Sequence, residues 1–265
     1  MFDEPRRQLG ACVVLLAQDG ELTNALYHAL SREVPNVHAI LEDRIGRVEL
    51  LRGRARRFGW RVAAGQAAFT VGIVPVLRLT SRARIAEIHQ AADLKKDALG
   101  NPIRVPSVNH EQVIEWLDKL APVVIVIFGT RILSRKTLSA IKVPVLNLHA
   151  GITPLYRGVH GAYWALVEGR PDLVGSTVHF VDEGIDTGRV VSQAKFDISH
   201  DDNFATYPHL HFAAGLPLLL DAVHSLMDND PLKPATAVTA DHPSILRSHP
   251  TVASYISARF RLGVS

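Results

Sequence analysis

The 265-residue chain contains a single cysteine, Cys12, and that scarcity excludes a good deal. One thiol closes no internal disulfide, so the fold has to rest on its apolar core. Within "ACVVLLA", Cys12 reads as a small buried residue, which suits a protein of the reducing cytoplasm. Neither C-x-x-C nor H-E-x-x-H occurs, so no metal site is expected. No G-x-S-x-G marks a nucleophile elbow. No G-x-G-x-x-G follows the first apolar run, which argues against a plain dinucleotide-binding protein. That first run is short and follows an acidic and then basic start, unlike a secretory leader. One long run carries a single charge, Arg78, in "VAAGQAAFTVGIVPVLRL" at 62–79. With Gln66, two glycines and a proline it sits at the short limit for crossing a bilayer, and a buried or surface-lying helix is expected there.

What is present is ordinary globular material. Hydrophobic residues make up 47% of the chain and charged ones 21%, ample for one large core. The net charge of +3 does not demand a nucleic-acid partner. The charge is uneven, however. Between 44 and 61, seven arginines (44, 47, 52, 54, 56, 57 and 61) stand against Glu49 alone. The first reading is a solvated helix face. The alternatives are a basic surface for a phosphate-bearing substrate or a peripheral contact with an anionic membrane.

Along the chain, apolar runs of strand length alternate with helical spacing. Strands are expected at 12–17, 37–43, 103–105, 123–129, 144–149, 175–181 and 189–196. Helical patterns lie at 20–33, near 134–141, around 160–169 and over 203–228, and Asn109 is expected to cap a helix with an inner stripe of Val113, Leu117 and Leu120. The alternation predicts an α/β fold, Rossmann-like, with a mostly parallel sheet and helices on both faces. The expected organisation is a catalytic domain over 1–229 and a short C-terminal extension over 230–265, Pro-rich and then weakly helical.

Ligands of open α/β sheets sit beyond the carboxyl ends of the strands. There, "VPVLNLH" ends in Asn147 and His149, which face the same side of an extended chain. The next strand, "GSTVHFVDEGIDTG", delivers Thr177, His179, Asp182, Glu183 and Asp186 into a loop punctuated by Gly184 and Gly188. An amide donor, an imidazole and a carboxylate suffice for acyl transfer to an amine: one meets the oxyanion, one takes the ammonium proton, one orients the ring. For His179 a structural hydrogen bond and pocket support are equally open. Asp182 and Glu183 read as loop surface, and Trp164 as core.

"N-L-H-x-x-x-x-P-x-Y-R-G" followed by "G-S-T-V-H-F-V-D-E-G-I-D-T-G" resembles the folate-dependent formyltransferases, and "FGTRILS" (128–134) is similar to their pterin-pocket segment. The resemblance spans roughly 103–200 and is closest in outline to amino-sugar N-formyltransferases. It implies Asn147, His149 and Asp186 as the catalytic set, with Thr177 holding a water and His179 in support. It implies 10-formyltetrahydrofolate as formyl donor, received by Thr130, Arg131, Ile132 and Leu133 and by Val181, Asp182, Glu183, Gly184 and Ile185. Acceptor contacts fall to Tyr156, Arg157, Gly158 and His160. Members commonly dimerise, so a homodimer is an open expectation.

Departures narrow the acceptor. The family's usual Pro-Ser after the histidine is Ala150–Gly151 here, and its Leu-Leu-Pro is "ITP" (152–154). The first strand leads into "AQDGELTNAL" without a Gly/Ser/Asn-rich phosphate loop, which argues against a purine-pathway ribose phosphate. The tail is short for the further C-terminal domain of the methionyl-tRNA enzymes. The expectation is therefore a small primary amine, an amino sugar linked to a nucleotide or a lipid, with no nucleic acid. A formyltetrahydrofolate hydrolase and a non-catalytic folate-binding module are the alternatives. If His149 must be neutral to act, activity should fall through a pKa of about 6–7.

Overall fold

The computed structural model describes residues 11–230, 232, 237–238 and 241–265; positions 231, 233–236 and 239–240 of the expected extension lie outside these. The order begins β1 (Cys12–Gln18), α1 (Glu21–Glu33), β2 (Asn36–Glu42). Four helices follow before the sheet resumes: α2 (Arg47–Phe58), α3 (Trp60–Ala68), α4 (Val74–Thr80) and α5 (Arg82–Ala91). Then come β3 (Ile103–Val105), α6 (Glu111–Leu120), β4 (Val124–Phe128), α7 (Arg135–Ala140) and β5 (Val145–His149). The chain continues through β6 (Tyr156–Gly158), α8 (Gly161–Val167), β7 (Gly175–Phe180), β8 (Val190–Lys195) and α9 (Tyr207–Met227), and closes with β9 (Ile245–Arg247) and α10 (Val252–Leu262).

Seven strands form one sheet in the order β3-β2-β1-β4-β5-β7-β8. The first five run parallel, and β7 and β8 are antiparallel additions at one edge. Strand β1 is central and buried on both faces because its run "CVVLLA" carries no polar residue. Each fully buried leucine there contributes roughly 1.5–3 kcal/mol. One face is covered by α1 and α9 through Leu26, Leu30, Phe212, Leu219 and Val223. The other is covered by α6 through Val113 and Leu117. The connections reverse direction between β1 and β4, which opens a crevice at their carboxyl ends.

Two local findings differ from the sequence reading. Helix α6 is capped by His110, whose Nδ1 accepts from Gln112 N at 3.4 Å. Asn109 instead reaches the loop after β4: its amide donates to the Ile132 carbonyl at 2.9 Å and its oxygen accepts from Ser134 N at 2.6 Å. Between α3 and α4 the helix widens into a π turn, Phe69–Ile73, just ahead of Pro75, which has no N–H to give the carbonyl four residues back. Residues 60–80 thus form one continuous helical stretch.

A third cluster joins distant segments: Phe69 from the π turn, Tyr163 from α8, Phe204 ahead of α9, and Tyr255 and Ala258 from α10. The phenylalanine rings meet edge-on at 4.8 Å between centroids. Strand β9 pairs in parallel with β6, Tyr156 opposite Ile245 and Gly158 opposite Arg247. The described tail residues are therefore built into the wall behind the site.

Candidate active site

Register places the polar residues together. In the β5–β7 pair Asn147 stands opposite His179 and His149 opposite Thr177. Alternation turns Asn147 and His149 to one face at the carboxyl end of β5. The loop after β7 then brings back Asp186 with φ 53°, a left-handed conformation in which a short polar side chain is tolerated. Its Oδ2 accepts from Gly158 N at 2.7 Å, and its Oδ1 lies 3.4 Å from His149 Nδ1 and 3.6 Å from His179 Nε2.

Hydrogen-bond partners fix the tautomers. His149 Nε2 is 2.8 Å from the Tyr156 carbonyl, which only accepts, so Nε2 carries the proton. Nδ1 is left as the basic nitrogen, facing Asp186. His179 Nδ1 lies 2.8 Å from the Phe180 carbonyl and must donate to it, so its Nε2 accepts from the Asn147 amide at 3.1 Å. That bond turns the Asn147 nitrogen toward His179 and leaves its second N–H without a partner among the described residues. The site thus offers one amide N–H and one basic ring nitrogen backed by a carboxylate.

Burial lowers the His149 pKa below 6.5, with the Asp186 charge and the Tyr156 bond working against the shift. Burial would raise Asp186, but a proton on the His179 or His149 nitrogen facing it and the Gly158 N–H outweigh it and hold the carboxyl below 3.8. At neutral pH the pair is a neutral imidazole beside a carboxylate.

The remaining expected residues divide. The Thr177 hydroxyl has three protein partners: it donates to the Gly151 carbonyl at 2.8 Å and accepts from Thr153 N and the Gln193 side-chain amide. Thr130 and Ile132 lie on the loop after β4, and Ile132 is exposed there. Leu133 points into the core beside α6. The Arg131 side chain is turned to Glu42 at 2.7 Å and to the Pro106 and Asp43 carbonyls, so it braces the loop. Val181 donates its N–H to Val145, Asp182 shapes its own turn through Gly184 N and Thr187, and Glu183 pairs with Arg135 at 2.8 Å across the two loops. Ile185 is half-buried beside them. The Tyr156 phenol is buried and bonded to Glu168 and His242, away from the triad; only its carbonyl serves His149. Arg157 has a buried Nε with no partner. Trp164 is half-buried, its indole donating to the Ser248 carbonyl and its face covered by Arg247.

Gly151 explains one departure noted above. A Cβ there would meet the Tyr156 carbonyl at 2.6 Å and His149 Nε2 at 2.9 Å, so any side chain would wedge open the bond that sets the His149 tautomer.

A cleft of about 840 Å³ lies at the ends of β1 and β4, and Asn147, His149 and Asp186 are not among the residues that line it. Gln18–Thr23, Phe128, Gly129 and His160 floor it, and Thr70, Val74, Arg78 and Arg82 from α4, its π turn and α5 wall it. His160 contacts His249 Nδ1 at 2.9 Å, and burial holds both neutral, His249 pushed down to about 4. Sequence reading missed Glu42 and His249. The first was visible as an acid ending an apolar strand, whereas the second comes from a tail with no periodic signal.

A family model described as "Formyl transferase" matches residues 65–215, more than half of the chain. The chain belongs to the formyl transferase family. The methionyl-tRNA formyltransferase of Thermodesulfovibrio yellowstonii is 32% identical over 142 residues, 52% of this chain and 46% of that protein. The chain spans about half the length of the curated relatives it matches. Solved structures share the fold: a sugar N-formyltransferase from a Shewanella species (TM-score 0.52, 14% identity, 88% of this chain and 76% of that one) and glycinamide ribonucleotide transformylase 1 from Symbiobacterium toebii (0.55, 19%, 84% and 90%). The matched segment runs from the Trp60–Thr80 helix through β4, β5 and β7 into α9, and so contains Asn147, His149 and Asp186.

Proposed function

We propose that this formyltransferase moves a formyl group from 10-formyltetrahydrofolate to the primary amine of a small anionic molecule, an amino sugar carried on a nucleotide or a lipid. The observation that carries the transfer is the tautomer pair at Asn147 and His149. The donor supplies an activated formyl group; the chain supplies the rest. The free Asn147 N–H hydrogen-bonds the formyl oxygen as it gains negative charge, a contact of the kind worth about 2.7–4 kcal/mol. His149 Nδ1 accepts the proton from the attacking amine, and Asp186, 3.4 Å away, stabilises the imidazolium that results; as the bond from the formyl carbon to N10 of the donor breaks, that proton passes to N10 and tetrahydrofolate leaves. The backbone of Thr130–Ile132 and the loop Val181–Ile185 flank the triad, and the exposed Ile132 offers an apolar surface to a flat ring. Leu133 and the Arg131 guanidinium act behind that surface.

The anionic acceptor is supported by the cleft. Arg78 and Arg82 line it and, among the described residues, have no ion-pair partner. Methionyl-tRNA is a second reading, favoured by the names of relatives about 30% identical. Turnover of 10-formyltetrahydrofolate, followed by absorbance with amino sugars, with methionyl-tRNA and with no amine, separates the readings. Amine-dependent turnover by an amino sugar, lost in Asn147→Ala and Asp186→Ala, supports the proposal. Turnover with methionyl-tRNA alone replaces the acceptor, and turnover without amine makes the protein a hydrolase.

A further inference from the structure

The Trp60–Thr80 stretch is long and apolar enough to cross a membrane, yet only 17% of its most apolar window is buried. The comparable helix, α9, has 44% buried, as a core helix should. Inward, the stretch presents Ala63, Gln66 and Phe69. Outward between Arg61 and Arg78 it presents Val62, Ala64, Ala68, Thr70, Val71, Gly72, Pro75 and Val76, a solvent-facing surface with no charge. A helix facing water normally carries its polar residues there. Trp60 is 64% exposed, Val71 71%, and Val76 and Leu79 57% each.

Charge frames this face. Residues 44–84 contain ten arginines and one glutamate, whereas the rest of the chain holds 19 basic against 25 acidic residues. The modest overall charge therefore conceals one strongly basic side and an acidic remainder. Helix α10 touches α3 where Gly65 meets Thr251 and adds exposed Ile256, Phe260 and Leu262 beside Arg259 and Arg261.

We propose that the outer face of the Trp60–Thr80 helix, fringed by these arginines, docks the protein flat onto an anionic phospholipid surface. An apolar helix face with tryptophan at one end and arginines at both ends matches the interface of acyl chains and anionic headgroups. A second copy of the chain fits poorly, because its arginine fringe would oppose the first. Nucleic acid would use the arginines and leave the aliphatic face in water. Thr70, Val74 and Arg78 of the same stretch wall the cleft, so docking sets the cleft beside the headgroups.

The test uses the full chain with neither donor nor acceptor, so its outcome is independent of turnover. Cosedimentation compares vesicles of phosphatidylcholine with vesicles carrying roughly 30 mol% phosphatidylglycerol. Binding that needs phosphatidylglycerol, weakens with salt, and drops at least about tenfold in a Val71→Glu, Val76→Glu variant is expected. The emission of Trp60, isolated as the difference from Trp60→Phe, should shift to the blue on the same vesicles. No binding, equal binding to phosphatidylcholine alone, binding indifferent to the two glutamates, or a self-associating dimer or tRNA complex in place of vesicle binding each overturns the proposal.

Discussion

Lowering the pH from 7 to 5 should strongly destabilise this protein, and the histidines set the size of the effect. His209 and His249 are pushed down to about 4 and His211 to about 3, in each case chiefly by burial. His211 is held as a neutral ring: its Nε2 accepts from Ala162 N at the start of α8, which an imidazolium cannot do. A group whose folded pKa is depressed binds its proton more readily when unfolded. Stability is therefore complete above 6.5 and is lost as pH falls, by about 1.4 kcal/mol per pH unit for each histidine. At pH 5 that is about 2 kcal/mol for each of the three, about 6 kcal/mol together, against a total stability of about 5–15 kcal/mol. His89, His149 and His160 are depressed too and act with the same sign. The lowered carboxylates Asp186 and Asp202 lose stability only below 3.8 and do not confuse the window. Calorimetric melts at pH 7, 6, 5.5 and 5 should show Tm falling by about 12–24 °C at pH 5. His209→Asn should flatten the slope by about one proton. A Tm unchanged between pH 7 and 5 would refute the assignment of these rings as neutral and buried.

Three further outcomes are expected. The acid limb of kcat should lie below pH 6.5, because burial lowers His149, and in Asp186→Asn it should move further acid as the raising charge is removed; pH–rate profiles in the reversible range check both. Gly151→Ala should cost about 1–3 kcal/mol and lower kcat more than it raises KM, since the new Cβ presses on the His149–Tyr156 bond, with a neutral result by melt and turnover counting against that contact. Glu42→Ala should cost about 3–5 kcal/mol and raise KM for the donor, because it strands the buried Val108 N–H and releases Arg131 from its brace.

The parts of the molecule legible in the sequence are those written in period and run. The strands were apolar segments of five to seven residues, and their alternation gave the sheet because buried parallel strands leave no room for polar residues. Asn147 and His149 could be placed on one face by period alone. Asp186 could not: a left-handed loop residue carries no periodic signal, and only the resemblance in "GIDTG" pointed to it. Side-chain direction was the weaker inference. Arg131 and Tyr156 lie within the right motifs, but Glu42 captures one and Glu168 with His242 the other, and Glu42 and His242 lie far off in sequence. Asn109 lost its capping place for the same reason: a loop across the fold offered it more hydrogen bonds than the helix beside it.

That division of signal follows the division of work within the site. Asn147, His149 and His179 stand on two paired strands of the central sheet, and Asp186 is pinned to a backbone amide of β6, so the reacting geometry is set by elements that cannot shift singly. The cleft proposed for the acceptor is different. Its outer wall is the π turn with α4 and α5, and its inner end is His160 braced by His249 from the tail, packed on Phe204 at 4.4 Å between ring centroids. Neither the 44–92 insertion nor the tail contributes a strand to the main sheet. The insertion can therefore change length and composition without moving the triad, whereas the tail strand β9 pairs with β6, whose backbone holds His149 and Asp186. In this chain the insertion carries the ten clustered arginines and the uncharged helix face, and the tail supplies His249 to its contact with His160 at the start of α8.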